Sequence, residues 1–359
     1  MRAIISAGGT GGHIYPALAI IKKIKEMEPD SEFLYIGTHN RMENDIVPKH
    51  GIPFKTIEIY GFSKNVLKDF KTVKKFYVAY KEAREMIKEF KPDVVIGVGG
   101  YVTGPVLFAA SKLGFKTFIH EQNSIPGKCN KFLSKYVDMI GVSMKSSLNA
   151  FPKKKVHFTG NPCSEEALNM EPAPKKEFGL HENKKLVYIV MGSLGSNAVT
   201  EKLKGAIELF KGKDYEVMFV TGKGSYNDIS TMEIPSNVKI FPYVESQSRI
   251  MKRADLVVTR CGASTLAEII SLKLPSILIP SPYVPNNHQF INGMDFVNKK
   301  AGIMIEEKDL TGELLVEKID ELINDDNRLE EMKNNLNDLG INDSASQIYE
   351  LLKSLTSKE

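Results

Sequence analysis

The sequence has no long uncharged apolar run, so no transmembrane helix is written in it. Residues 3–7 are too short for the apolar centre of a signal peptide and no small-residue cleavage site follows, so residence in the cytoplasm is the expectation. Cysteine is scarce: Cys129, Cys163 and Cys261 are odd in number and far apart, without paired metal-ligand spacing. They read as buried thiols in a reducing compartment. No solenoid period and no low-complexity tract is present. Two nucleotide fingerprints are missing as well. A dinucleotide site would need a glycine where Ile14 stands and an acid at the end of the next strand, where "YIGTHN" has none. The P-loop lysine is absent. These gaps argue against a dehydrogenase and against an ATP site of the usual kind.

What is present suits a soluble protein of two domains: 359 residues, 42% hydrophobic and 26% charged. The net charge of +4 conceals an asymmetry. Residues 1–160 carry 25 Lys and Arg against 14 Asp and Glu, and the remainder carries 23 against 30. A basic first half suits an anionic partner: a nucleic acid, a phosphorylated substrate or a membrane surface.

Apolar runs recur with helical patterns between them. In the first half they are Ala3–Ser6, Phe33–Ile36, Val94–Val98, Thr117–His120, Met139–Val142 and Val156–Phe158, with helices over Pro16–Met27 and Phe76–Phe90. In the second they are Leu186–Val190, Glu216–Val220, Lys239–Phe241, Leu256–Val258, Ser276–Ile279 and Gly302–Ile305, with helices over Ala198–Phe210 and Thr265–Leu272. Such alternation predicts an α/β protein with two doubly wound parallel sheets. Residues 169–185, rich in proline and charge, read as the crossover between domains. A last helical pattern carries Ile348, Leu351, Leu352 and Leu355.

Four glycine clusters follow strands and open helices: "AGGTGGHIYP", "VGGYVTGP", "MGSLGSNAV" and "TRCGASTLAE". Glycines there let backbone N–H groups approach an anion, and the helix dipole favours its charge. One cluster is weak evidence; four in both halves argue for a groove holding more than one phosphate-bearing ligand. "HEQN" (120–123) and "NNHQ" (286–289) add polar side chains suited to sugar hydroxyls, or to bracing a loop.

Together with "GNP", these motifs are similar in order, over nearly the whole chain, to the MurG family. These are UDP-N-acetylglucosamine transferases acting on the undecaprenyl-diphosphate-linked muramoyl-pentapeptide of cell-wall synthesis. The resemblance implies a GT-B fold, two Rossmann-like domains facing a cleft. Residues 1–160 would form the acceptor and membrane-facing domain and 161–342 the UDP-sugar domain, with a C-terminal helix over 343–359 packing back on the first. It implies inverting transfer of N-acetylglucosamine to the 4-hydroxyl of the lipid-linked acceptor, with UDP-N-acetylglucosamine a substrate and no cofactor or tightly bound metal. A glycosyltransferase using another lipid acceptor, such as diacylglycerol, a nucleotide-sugar epimerase of the same fold and a non-catalytic nucleotide-sugar-binding protein are the alternatives.

Carried onto this sequence, the resemblance assigns the donor to Thr10, Gly11, Gly12, Asn123, Ser193, Val244, Ala263, Ser264, Thr265, Glu268 and Gln289. Asn123 and Gln289 would meet sugar hydroxyls, Glu268 the ribose diol, Val244 uracil, and Ser193 with the 263–265 helix start the diphosphate. Gly9, Gly100, Tyr101, Thr103 and Gly104 would receive the acceptor diphosphate. His13, with an ordinary pKa near about 6.5, suits the base for the attacking hydroxyl, or else an orienter of the loop or an acceptor-phosphate contact. Cys163 and Ser164 stand where the family often has arginine, and Leu194 replaces a frequent glutamine. A basic amphipathic stretch at 61–80, with Leu67, Phe70, Lys71, Val73, Lys74 and Tyr77, reads on pattern alone as a helix with its apolar side on the sheet. A lipid-linked acceptor favours an anionic inner leaflet instead, and peripheral residence on the cytoplasmic face of the membrane. The expected partners are completed by other cell-wall synthesis proteins; no nucleic acid is expected.

Overall fold

The chain divides into two compact units, Met1–Glu165 with Ile341–Glu359, and Glu166–Gly340. The computed structural model describes the backbone of residues 1–59, 66–192 and 195–357 and, outside residues 66–72, their side chains.

In the first unit, strands β1 (Arg2–Ala7), β2 (Glu32–Thr38), β3 (Phe54–Ile57), β4 (Val94–Gly99), β5 (Lys116–Glu121), β6 (Met139–Val142) and β7 (Val156–Phe158) form a parallel sheet. The order is β3-β2-β1-β4-β5-β6-β7. Its helices are α1 (Gly11–Met27), α2 (Met42–Ile46), α3 (Val66–Phe90), α4 (Thr103–Leu113), α5 (Lys128–Leu133) and α6 (Pro162–Asn169), the last running across the division between units. Neighbouring residues on a strand point to opposite faces, and here both faces are covered. Ile5 packs with Ile14, Ala17 and Ile24 of α1. Ile4, one residue earlier, packs with Ala79, Ala83 and Ile87 of α3 and Val106 of α4.

The second unit repeats the plan. Strands β8 (Leu186–Val190), β9 (Glu216–Val220), β10 (Val238–Phe241), β11 (Leu256–Thr259), β12 (Ser276–Leu278) and β13 (Gly302–Met304) are parallel in the order β10-β9-β8-β11-β12-β13. Helices α7 (Asn197–Leu203), α8 (Ala206–Leu209), α9 (Lys223–Ser230), α10 (Ser248–Met251), α11 (Ala263–Leu272), α12 (His288–Asn298), α13 (Gly312–Ile323) and α14 (Asp326–Asn335) connect and cover them. The chain then returns to the first unit as α15 (Ser344–Thr356), which buries Ile348, Tyr349 and Leu352 in the core beneath α1. Full burial of such a side chain contributes about 1.5–3 kcal/mol. Glu165 fixes the start of that helix, accepting from the Ser346 N–H and hydroxyl at 2.8 Å each.

Three local expectations change. The first helix starts at Gly11 rather than Pro16, so Gly11, Gly12 and His13 lie in its first turn. The helix expected over Ala198–Phe210 is broken between Leu203 and Ala206. Gly205 is a poor helix former, and α13 presses there: a Cβ on Gly312 would stand 2.9 Å from the Ala206 nitrogen. Strand β3 escaped the sequence reading because it is short and only partly buried, with Lys55 in its middle.

Candidate active site

The four glycine clusters follow β1, β4, β8 and β11. In each unit these are the two neighbouring central strands at which the strand order reverses. The chain leaves such a pair in opposite directions and opens a crevice beyond their carboxyl ends, where sheets of this type bind ligands.

In the first unit the two loops lean on each other. The Gly8 N–H donates to the Gly99 carbonyl at 3.2 Å. Gly99 has φ +113°, and a Cβ there would lie 2.5 Å from Cδ2 of His13. Gly100 has φ +90°, and its Cβ would lie 2.5 Å from the Gly8 oxygen. Backbone conformation and close approach both require glycine at these two positions. Nδ1 of His13 lies 3.1 Å from the Gly8 carbonyl and 3.5 Å from the Thr10 hydroxyl. A carbonyl can only accept, so Nδ1 carries the proton and Nε2 the lone pair of the neutral ring.

Glu43 of α2, which the sequence reading missed, is fully buried under this loop. Its Oε2 accepts from the Gly9 N–H at 3.1 Å, and its Oε1 from the Thr38 N–H at 3.1 Å and the Thr38 hydroxyl at 2.5 Å. Gly9 therefore does not offer its N–H to an acceptor diphosphate. Thr103 and Gly104 are corrected too. Thr103 is buried, its hydroxyl turned to the Ser6 and Gly99 carbonyls at 3.2 and 2.9 Å. The Gly104 N–H donates to the Tyr101 carbonyl at 3.2 Å. Of that group Gly100 and the exposed Tyr101 remain at the loop surface.

"HEQN" divides in the same way. Nε2–H of His120 donates to the Gly160 carbonyl at 2.9 Å, and its Nδ1 accepts from Nε2 of Gln122 at 3.1 Å. Burial lowers the His120 pKa to about 4, keeping the ring neutral. Glu121 accepts from the N–H groups of Asn123 and Gly127 and the side chain of Asn130. Three of the four residues thus brace the loop from below, and Asn123 alone is half-buried. Ser164 is buried, its hydroxyl donating to the Asn161 carbonyl at 2.7 Å beside that of Ser344. It ties α15 to α6 and does not stand in for an arginine at a nucleotide.

In the second unit, Arg260 does for carbonyls what Glu43 does for N–H groups. This buried guanidinium donates to the Ile279 and Pro280 carbonyls at 3.2 Å, the Ser196 hydroxyl at 2.9 Å and the Glu307 carboxylate at 2.5 Å. Loops after β8, β12 and β13 are thereby fastened to the end of β11. Ala263, Ser264 and Thr265 form the first turn of α11, which has no capping side chain and no acid. Their N–H groups lack intrahelical acceptors, and the dipole adds positive potential. The Ser264 hydroxyl oxygen is buried with no hydrogen-bond partner among the described residues.

One turn further, Glu268 is half-buried. Desolvation first, then Glu166, pushes its pKa up to about 7, against a lowering bond from Gln247. That bond, at 3.3 Å, fastens the loop carrying Val244 to Glu268. Oε1 of Gln289 accepts from the Ser281 N–H at 2.9 Å, leaving its amide nitrogen as the end suited to a sugar oxygen. Ser193 lies outside the described residues.

On the outer face of α3, Val73, Tyr77 and Val78 are 58%, 57% and 45% exposed, beside exposed Lys74 and Lys81. Ala79, Ala83 and Ile87 supply the buried face. Val73 and Tyr77 therefore face outward, not onto the sheet as the pattern alone suggested; Leu67, Phe70 and Lys71 have side chains outside the described residues. No described helix is long and apolar enough to cross a membrane.

Residues 3–142 match the glycosyltransferase family 28 N-terminal domain and residues 186–348 the family 28 C-terminal domain. The chain is 47% identical, over 100% of both sequences, to the UDP-N-acetylglucosamine–N-acetylmuramyl-(pentapeptide) pyrophosphoryl-undecaprenol N-acetylglucosamine transferase of Bacillus cytotoxicus. Among solved structures it resembles Acinetobacter baumannii MurG, with 26% identity, a TM-score of 0.78 and coverage of 98% of this chain and 99% of that one. A Neisseria meningitidis UDP-GlcNAc 2-epimerase bound to UDP-GlcNAc shares the fold, with 17% identity, a TM-score of 0.68 and coverage of 99% and 100%.

Proposed function

The chain belongs to glycosyltransferase family 28, a GT-B fold of two Rossmann-like units, and from that membership we propose that it transfers N-acetylglucosamine from UDP-N-acetylglucosamine to the 4-hydroxyl of N-acetylmuramyl-pentapeptide on undecaprenyl diphosphate. The observation that carries this reading is 47% identity, end to end, with a relative of that name. The acceptor oxygen attacks C1 of the sugar as the bond from C1 to the diphosphate oxygen breaks, with inversion. The electron pair leaves with UDP, and the acceptor proton passes to Nε2 of His13. The ring is suited to this because its Nδ1 already carries a proton held by Gly8.

Leaving-group charge is stabilised by the first turn of α11 and the Ser264 hydroxyl. Glu268 takes the ribose diol, the backbone at Val244 takes uracil, and Asn123 and Gln289 meet sugar hydroxyls. The first turn of α1, from Thr10 to Gly12, faces the donor sugar, and Gly100 with Tyr101 receives the acceptor diphosphate. Radiolabelled transfer to a short-chain lipid-linked acceptor, with UDP-glucose and UDP-galactose as competitors, tests the assignment. Label appearing in diacylglycerol or only in free sugar overturns it. His13→Asn should lower kcat by about 10²–10⁴-fold with UDP affinity kept; near-normal turnover removes the base.

The exposed face of α3 docks the first unit onto anionic lipid, as the lipid-linked acceptor requires. Val73 and Tyr77 enter the interface, and each nearby lysine contributes about 1 kcal/mol. Flotation with anionic vesicles should recover the protein and Val73→Ser/Tyr77→Ser should weaken it. Equal recovery with neutral vesicles would show that charge plays no part.

A further inference from the structure

A single peptide group stands between Glu43 and His13. The N–H of the Gly8–Gly9 peptide belongs to Gly9 and donates to Oε2 of Glu43 at 3.1 Å. The carbonyl of the same peptide belongs to Gly8 and lies 3.1 Å from Nδ1 of His13. The series therefore runs carboxylate, peptide, imidazole, with both ends of one amide engaged. We propose that Glu43 is a positioning residue for His13, acting through the Gly8–Gly9 peptide as a directly bonded carboxylate acts on a histidine base.

Three observations support the relay. First, Glu43 is fully buried, and its hydrogen bonds come from two N–H groups and a hydroxyl instead of a lysine or arginine. One of these three bonds runs through the peptide that faces His13, and it is the one that Oε2 receives; the other two come from Thr38. Second, the geometry is enforced by packing. A Cβ on Gly8 would stand 2.4 Å from Oε1 of Glu43, and one on Gly99 would strike the imidazole ring. Third, hydrogen bonds in series polarise one another, by about 10–30% per bond in condensed phase. An amide whose N–H is held by a carboxylate has a more negative carbonyl oxygen, which holds the Nδ1 proton more firmly and stabilises the imidazolium formed on proton transfer.

Among the described residues, the Thr10 hydroxyl also faces this series, 3.5 Å from Nδ1 of His13. Tyr35 on β2 is a phenol that burial, and then the charge on Glu43, hold well above the ordinary range, so it stays neutral. Thr38 contributes its N–H and hydroxyl. The loop after β4 brings backbone at Gly99 and Gly100 and the aliphatic Val102.

The inference rests on His13 being the base, and the test separates the two. Glu43→Gln keeps the shape but removes the charge. It should lower plateau kcat about tenfold and move the acidic limb of the kcat/KM profile down by about half a pH unit, because a less stabilised imidazolium is a weaker base. The deficit then shrinks as pH falls, which a merely loosened loop would not produce. Glu43→Asp keeps the charge but withdraws it by one methylene, and should shift the limb in the same sense by less. Nitrogen-15 NMR of the His13 ring should show the Nδ1–H tautomer in the wild type and a lower titration midpoint in both variants, with UDP affinity unchanged.

If His13→Asn is inactive while both Glu43 variants keep the wild-type limb and midpoint, the relay is wrong and the base stands. If His13→Asn stays active, the base itself is wrong. Should Glu43→Gln fail to fold, the Glu43→Asp limb decides alone: a wild-type position overturns the relay.

Discussion

The two units share strand order, glycine loops at the central strand pair and a buried charged side chain under those loops, yet the buried charges have opposite sign. In the first unit the braces are carboxylates, Glu43 and Glu121, which consume the N–H groups of Gly9, Asn123 and Gly127. In the second the brace is the guanidinium of Arg260, which consumes the carbonyls of Ile279 and Pro280. An anionic brace spends the donors that would bind phosphate; a cationic brace spends acceptors and leaves donors for the ligand. The second unit is thus the better built for a diphosphate, although the first half of the sequence carries the net positive charge. Long-range charge and local donor supply are separate properties, and here they sit in different units. The basic surface suits attraction to an anionic membrane, whereas oriented amides at a helix start suit a grip on a leaving diphosphate.

The sharpest way to break this comparison is to remove the cationic brace. Arg260→Met leaves Glu307 buried without its partner, and unpairing a buried ion pair costs about 3–5 kcal/mol. Urea unfolding followed by pulsed hydrogen exchange and mass spectrometry should show the loss in peptides of residues 166–340, with the first unit unaffected. UDP binding should weaken as the loop after β8 loses its anchor at Ser196. The double variant Arg260→Met/Glu307→Leu removes the orphaned charge and should recover most of the stability but not the UDP affinity. If it recovers both, Arg260 has no part in shaping the nucleotide site.

The contrast also explains what could be read from sequence and what could not. Strands buried on both faces are unbroken apolar runs, so Val94–Gly99 and Leu186–Val190 announce themselves, while the half-buried edge at Phe54–Ile57 does not. The glycine loops were legible because their chemistry is local. Glu43 was not, because the loop it holds lies 34 residues away. "YIGTHN" at the end of β2 holds no acid, but Glu43, three residues further on, folds back there. Its burial under the Gly9 N–H leaves the case against a dinucleotide site intact. Arg260 sat unread inside "TRCGAS", its meaning dependent on Glu307, 47 residues on. "HEQN" fits sugar contacts and a loop brace equally well as sequence, because a polar run at a strand end looks like a binding loop. Three of its members satisfy backbone groups of adjoining loops, a demand visible only once those loops are beside it.

A smaller effect would separate the units by their response to pH. Burial depresses His120 to about 4, below its ordinary value, so the unfolded chain binds that proton first on acidification. The first unit should then lose up to about 3 kcal/mol from this group as pH falls from 6.5 to 4, and His120→Gln should remove that part of the slope. Glu268 has the opposite sign. Its folded value of about 7 lies above the ordinary carboxyl range, so the folded second unit holds the proton more tightly. Its stability should fall as pH rises from 4.5 to 7, by about 2 kcal/mol given its half-buried position, and Glu268→Gln should flatten that fall. Stability of each unit, read from its own peptides at pH 4.5, 5.5, 6.5 and 7.5 in wild type and the two variants, measures both slopes in one experiment. Parallel slopes for the two wild-type-minus-variant differences would show that the two buried groups do not set the units apart.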